Sequence, residues 1–223
     1  MFTKKIYYSI SSVLAKKHFH LVRSLEYLPR QPRISLYRSD YIRISSLELC
    51  AYEIYEKNVP GNVAELGVYK GDFAKSINAV FHDKLLYLFD TFEGFDKRDV
   101  ATELKEGFSP GSQDFSDTSV ESVLAKMPFQ KNCKVCKGVF PDSAKGVEDR
   151  FCFVSIDADL YEPIYAGLNY FYRRLSAGGY IFVHDFNNEE YKGCRRAVIE
   201  FCNRTKISYL PLADIGGSAV IAK

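Results

Sequence analysis

The chain predicts an α/β fold: a seven-stranded, mostly parallel sheet with helices on both faces, preceded by a helical arm. From residue 62 onward, apolar runs of strand length alternate with stretches of helical period. The last two runs, 207–212 and 218–223, are joined by the five residues "ADIGG". That connection is too short for a parallel crossover, so the closing pair is expected to be antiparallel. With 223 residues, 47% of them hydrophobic, the chain can bury one sizeable core.

The elements follow in order. Residues 2–28 mix aromatics with Lys and Arg, and "PRQP" at 29–32 interrupts the helical pattern. A basic helical arm is placed at 1–43 and the main domain at 44–223. The arm holds nine Lys or Arg against Glu26 and Asp40, a net of +7 within a chain of net +2. Two readings fit such an arm: packing on the body or on a second subunit, as in a dimer, or weak contact with a membrane surface or polyanion. No stretch reaches the roughly 18 apolar residues of a membrane span, and the N-terminus lacks a signal-peptide pattern. A cytoplasmic protein is therefore expected.

A first helix is expected at about 44–57, where Leu47, Cys50, Ala51 and Ile54 fall at helical spacing. Strands are expected at "NVAELGV", "KLLYLFD", "CKVCKGVF", "FCFVSID" and "YIFVHD", ahead of the closing pair. Helices are expected at "GDFAKSINAVF", "SVESVLAKM", "IYAGLNYFYRRLSAGG" (capped by Gly178-Gly179) and "EYKGCRRAVIEFCNRT". Residues 92–117 read as a long polar loop, a length that suggests a lid or binding loop. Cys133 and Cys136 form a C-x-x-C within a strand, so their side chains point to opposite faces. No second pair completes a tetrahedral metal site, and buried free thiols are expected.

Ligands of open α/β sheets bind beyond the carboxyl ends of the strands. Here five strand ends carry polar or glycine-rich segments. They are Glu65 to Gly71, Asp90-Thr91-Phe92, Gly138 to Phe140, Asp157 with Asp159, and His184 to Asn188. This accounts for "SIDADLYEP", where an apolar strand opens abruptly into acids. Gly67 allows a tight turn, and Gly71 lets the next helix start close to the strand. The spacing is G-x-x-x-G with Glu65 just before it, not the G-x-G-x-x-G that cradles a pyrophosphate. An acid beside that position favours an amino-bearing ligand. Asp90 lies about 20 residues beyond the turn, where a carboxylate can take ribose hydroxyls. Together these residues point to an adenosine ligand without a pyrophosphate, which S-adenosylmethionine satisfies.

"VAELGVYKGDFA", "LFDTFEGF", "FSDTSVESVL", "DADLYEP" and "GGYIFVHDF" resemble the macrocin O-methyltransferase (TylF/MycF-like) family over about residues 38–223. That family is of class I, S-adenosylmethionine-dependent and often Mg²⁺-dependent, and its characterised members methylate sugar hydroxyls. The resemblance implies that Glu65, Gly67, Tyr69, Gly71, Asp72 and Phe73 line the methionine and adenosine end of the cofactor. Asp90 would take the ribose, with Thr91 and Phe92 beside the adenine and Gly138 and Phe140 closing that side. Asp157 would face both the cofactor and a divalent ion (Mg²⁺ or Mn²⁺), and His184 and Asp185 would complete the metal and catalytic set. The chain departs from the family at His184-Asp185, where better-characterised members carry two acids, or an acid and an amide. Mg²⁺ prefers oxygen ligands, so three roles stay open for His184: ligand of a different metal, general base, or structural residue. Asp159 and Asn187 are the alternative ligands.

The reading is thus of an O-methyltransferase acting on a hydroxyl of a sugar or glycosylated small molecule. A divalent ion would lower the hydroxyl's pKa, and residues 92–117 would close over the site. Rivals are a nicotinamide-dependent oxidoreductase, a nucleic-acid methyltransferase and a non-catalytic protein of the same fold. The missing G-x-G-x-x-G argues against the first. The acidic rim argues against a nucleic-acid partner.

Overall fold

The computed structural model describes residues 40–223 and, before them, Ile10, Val13, Leu14 and Lys16. The chain divides into two compact units, 1–32 and 33–223, and the second carries the sheet. Those four residues apart, the expected arm lies outside the described residues as far as residue 39.

Six helices and seven strands are described. In order they are α1 (Tyr41–Glu56), β1 (Asn62–Leu66), α2 (Asp72–Val80), β2 (Leu86–Asp90), α3 (Lys97–Glu106), α4 (Val120–Lys126) and β3 (Cys133–Lys137). Then come β4 (Phe151–Ile156), α5 (Tyr161–Arg174), β5 (Leu175–Val183), α6 (Lys192–Thr205), β6 (Leu210–Pro211) and β7 (Ala219–Ala222). The sheet order is β3-β2-β1-β4-β5-β7-β6. The first five strands are parallel and β7 is antiparallel to both of its neighbours. The short "ADIGG" connection produces the antiparallel closing pair, as expected.

Alternate residues of each strand feed two cores. Ala64, Leu66, Tyr87, Phe89, Val154 and Ile156 face α5 and α6 residues such as Leu168, Phe171 and Phe201. Val63, Leu86, Leu88 and Phe153 face Leu47, Ile54, Ile77 and Val123 of α1, α2 and α4. Cys136 belongs to the first core and Cys133 packs against the second, so the C-x-x-C straddles the sheet. All six cysteines are free.

Three expectations are corrected. First, α1 begins at Tyr41, capped by the Asp40 carboxylate, which accepts from the Ile42 and Arg43 N–H groups at 3.1 and 3.3 Å. Arg43, counted above with the arm's charge, is therefore on this helix. Second, α5 ends at Arg174 and not at Gly178-Gly179. Leu175 already pairs with Phe151, and Gly178 sits within β5 at φ 86°, where a side chain would meet Val59. Third, residues 92–117 are not structureless: they contain α3, capped by Asp96. That helix is polar, and its one buried residue is Glu103, so it has no apolar stripe to reveal it.

The chain runs outward from β1 through β2 to β3, then returns to place β4 on the other side of β1. The crevice therefore opens between the ends of β1 and β4. There Gly67 follows β1 at φ 83°, and an added Cβ would collide with the Asp157 carbonyl oxygen. The Asp157 N–H donates to Leu66 O at 2.7 Å, which locks the two strand ends together.

Gly67→Ala should cost about 2–5 kcal/mol, from left-handed strain plus overpacking. Gly107, at φ 67° with open space around its Cβ position, is the control. Its alanine variant should lose only about 1–2 kcal/mol. Equal losses in urea denaturation would show that the strand approach is not the constraint.

Candidate active site

The carboxyl edge encloses a cavity of about 460 Å³. Of the residues expected to hold a cofactor, Glu65, Gly67, Tyr69, Asp72, Phe73, Asp90, Thr91, Gly138, Phe140 and Asp157 line it. Gly71 and Phe92 are not among its lining residues. Gly71, at φ 77°, is the N-cap of α2 and lets Val123 approach its backbone. Phe92 is buried in the second core.

Glu65 is the most unusual of these residues. It lies within β1 and is only 1% exposed. Burial pushes its carboxyl well above the usual range, against the pull of Arg43 and a hydrogen bond with Ser155. Its Oε2 has no hydrogen-bond partner among the described residues. Asp90 is differently employed. Its Oδ2 accepts from the Val68 and Tyr69 N–H groups at 2.6 and 2.9 Å, and its Oδ1 from Phe92 N–H at 2.6 Å. A carboxylate offers about four acceptor sites, so Asp90 ties the β1 turn to β2 and keeps one site for a hydroxyl.

Asp157, His184 and Asp185 converge, their ligand-type atoms lying within 4.8 Å of one another. Sequence reasoning missed the fourth member, Arg43. Its Nη2 donates to Asp157 Oδ2 at 3.0 Å and to the buried Ser155 Oγ at 3.2 Å, and its guanidinium stacks 3.8 Å from the Phe73 ring centroid. Its Nε is buried without a partner. A signal was present: Arg43 precedes Leu47 by four residues, placing a cation on the buried stripe of α1.

His184 bridges the two carboxylates. Its Nδ1 lies 3.1 Å from Asp157 Oδ1 and 2.9 Å from Asp185 Oδ2. Its Nε2 lies 2.8 Å from the Ile215 carbonyl oxygen, which can only accept. Burial lowers the affinity of the ring for a proton, but the Asp157 charge and the hydrogen bonds to both carboxylates outweigh it. The pKa is pushed up to about 10. Burial raises Asp157 in turn, and the Arg43 and His184 charges override it, holding this carboxyl well below its usual range. The remaining oxygen, Asp185 Oδ1, accepts from Asn188 Nδ2 at 2.9 Å. All four carboxylate oxygens therefore have internal donors.

This set is a poor match for Mg²⁺ or Mn²⁺. Both hard ions prefer oxygen ligands, and one of the three donors is a nitrogen. Bond Nε2–H···O=C alone does not decide the matter, since metal-bound histidines also donate to carbonyls. Arg43 adds to the mismatch, because its permanent charge beside Asp157 would repel a divalent ion held there. Asn187, an alternative ligand, instead accepts from Arg195 Nη1 at 2.8 Å.

Beyond this cluster the cavity is walled by Phe95, Asp96, Asp99, Gln113 and Phe115 of the 92–117 segment, together with Asp159, Glu190 and Tyr191. The lysines of that segment, Lys97 and Lys105, do not line it. Helix α3 is fastened by Glu103. Its Oε1 accepts from the Tyr161 N–H at 2.7 Å and its Oε2 from Ser109 Oγ at 2.6 Å. Leu160, the N-cap residue of α5, has no side chain that can cap, so the segment supplies that cap in trans. Asp159 sits two residues before α5 at φ 57°, a strained backbone for a non-glycine residue.

A family model described as macrocin-O-methyltransferase (TylF) matches residues 30–223. An 8-demethyl-8-(2,3-dimethoxy-alpha-L-rhamnosyl)-tetracenomycin-C 4'-O-methyltransferase of Streptomyces olivaceus is 26% identical over 193 residues, covering 80% of this chain and 71% of its own. A mycinamicin III 3''-O-methyltransferase of Micromonospora griseorubida is 26% identical over 180 residues, covering 74% and 70%. Among solved structures, the O-methyltransferase NovP superimposes with a TM-score of 0.63 at 22% identity, over 81% of this chain and 79% of its own. The calicheamicin methyltransferase CalS11 gives 0.64 at 19% identity, over 81% and 78%.

Asp99 offers a separate test of the acidic wall. Burial and then the charges of Asp96 and Glu162 push its carboxyl up to about 6, while Arg98 pairs with Asp96 instead. A raised carboxyl binds more protons folded than unfolded, so its cost to stability grows as pH rises from about 4 to 6. Asp99→Asn should stabilise the protein by about 1 kcal/mol at pH 7.5, allowing for its partial exposure, and be neutral at pH 4. Urea melts at the two pH values measure this, and equal effects at both would refute the electrostatic origin.

Proposed function

We propose that this chain, which belongs to the macrocin-O-methyltransferase (TylF) family and is an S-adenosylmethionine-dependent O-methyltransferase, takes as acceptor a hydroxyl of an uncharged sugar, carried on a small molecule or glycan, and that Asp159 removes the hydroxyl proton.

The observation that carries this reading is the division of one cavity into two differently furnished ends. At the β1 end, the unpartnered Glu65 Oε2 and Arg43 Nε match the ammonium and carboxylate of a methionine moiety. Asp90, with one acceptor site left, would take a single ribose hydroxyl, and Gly138 and Phe140 would bound the adenine. S-adenosylmethionine supplies an electrophilic methyl group on a cationic sulfur. The opposite end presents the Phe95, Phe115 and Tyr191 rings beside carboxylates. Aromatic faces cover the C–H surface of a sugar, and carboxylates accept its hydroxyls.

Charge argues against a phosphate-bearing acceptor. Among the described residues nine acids line the cavity, with Arg43 and Lys70 the only cations there apart from His184. A nucleotide sugar or a nucleic acid would face this field unneutralised. The Streptomyces olivaceus relative is named for a rhamnosyl-bearing acceptor, which supports a glycoside here.

We take Asp159 as the proton acceptor. His184 has acceptors at both nitrogens, and the oxygens of Asp157 and Asp185 are engaged. Asp159 lines the cavity beside that pair, and burial, then the Asp157 and Asp185 charges and a hydrogen bond with Asp185, raise its affinity for a proton, so that only its ionised form acts as base. The acceptor O–H bond breaks toward Asp159 as the oxygen–methyl bond forms, and the electron pair of the breaking sulfur–methyl bond stays on sulfur.

S-adenosylhomocysteine should bind by calorimetry, and Glu65→Gln should weaken it at least tenfold. Asp159→Asn should leave that binding intact while lowering methyl transfer to a panel of rhamnosides by about 10²–10⁴-fold. Absence of any binding heat sinks the cofactor assignment. Full activity in Asp159→Asn sinks the base.

A further inference from the structure

We propose that Arg43 and His184 are a built-in replacement for a divalent ion, so that the Asp157–Asp185 pair is neutralised by the chain itself and no metal enters. Four observations carry this. The guanidinium of Arg43, 7% exposed, lies 3.0 Å from Asp157 Oδ2. His184 Nδ1 stands between Asp157 Oδ1 and Asp185 Oδ2, at 3.1 and 2.9 Å. His184 Nε2 faces a carbonyl oxygen, so the ring must donate at both nitrogens to satisfy its neighbours. Asn188 takes the last carboxylate oxygen.

The sum is one permanent guanidinium charge and one imidazole facing acceptors at both nitrogens, set against two carboxylates whose oxygens are all in contact with a donor. An arginine cannot shed its charge to make room for an ion. Both cations are anchored away from the carboxylates, Arg43 through Ser155 and the Phe73 ring and His184 through Ile215. They are held for this position and not borrowed from solvent. A metal would need Arg43 to swing out of a buried site and His184 to lose a donor proton.

The substitution changes what the site can do. An ion with an open coordination position binds the acceptor hydroxyl directly. Donors already committed to carboxylates do not, and so the cluster supplies a rigid, neutral floor while the proton leaves to a separate base. The catalytic consequence rests on the methyl-transfer reading, whereas ion binding does not, and the two can fail separately.

The test is titration of the full chain, with and without S-adenosylhomocysteine, with Mn²⁺ followed by electron paramagnetic resonance and with Mg²⁺ and Zn²⁺ followed by calorimetry. Wild type should show no stoichiometric site for any of the three up to millimolar ion. The double variant R43M/H184D, which removes both cations and adds a third carboxylate, should gain one Mn²⁺ site, at least tenfold tighter than any wild-type binding. One ion bound per wild-type chain and released by Asp157→Asn would overturn the proposal. So would a folded double variant, judged by circular dichroism, that still ignores Mn²⁺. A double variant that does not fold leaves the wild-type titration to decide.

Discussion

Two carboxylates share a buried strand edge only where positive charge stands between them. The rest of the site depends on that constraint. Asp157 and Asp185 end adjacent parallel strands, β4 and β5, and project toward the same crevice. His184 fills the gap between them, and Arg43 closes the outer side of Asp157. Arg43 arrives from α1, which precedes the first strand, so the sheet's central acids are neutralised by an element outside the alternating β-α pattern. Its unpartnered Nε and the equally unpartnered Glu65 Oε2 then remain as the buried polar groups that call for a ligand.

Position is transmitted outward from the same point. The Leu66–Asp157 hydrogen bond and the missing Cβ of Gly67 bring β1 and β4 together. Two residues later the chain turns through the strained Asp159, and α5 begins at Tyr161. That first turn is capped by Glu103, fully buried on α3. The segment carrying Phe95 and Asp99 is thereby joined to the backbone that holds Asp159. A buried carboxylate at a helix N-terminus is favoured by the helix dipole as well as by hydrogen bonds.

The strands and the rim were legible in the chain because apolar runs and abrupt polar endings are local signals. Phe151 to Ile156 followed by Asp157 announces both a buried strand and its carboxyl end without any tertiary knowledge. The antiparallel finish followed from the length of one connection. What escaped notice was set by long-range contact. Helix α3 has no apolar face, since Glu103 holds it down through the N–H of a distant residue. Arg43 lies 114 positions from Asp157, and in a tally of basic residues it looked like part of the arm. Asp90 was read for a ribose, but three backbone N–H groups claim most of its acceptor capacity, and only the fold shows where those groups come from.

The nature of the neutralising charge decides how an acceptor hydroxyl can be activated. A bound ion polarises the hydroxyl through a coordination bond, and that route tolerates a weak base. Guanidinium and imidazolium groups whose hydrogens point at carboxylates offer no such bond. On the proposed reading, proton removal rests on a carboxyl that is itself crowded by charge, Asp159, pressed by Asp157 and Asp185. The strained backbone at Asp159 has the same logic. Holding a base within about 3–3.5 Å of a reacting atom is worth far more than the 1–3 kcal/mol that such strain costs. On that proposal, internal cations and a strained base are two consequences of one arrangement, in which the charge a metal would have supplied is written into the chain.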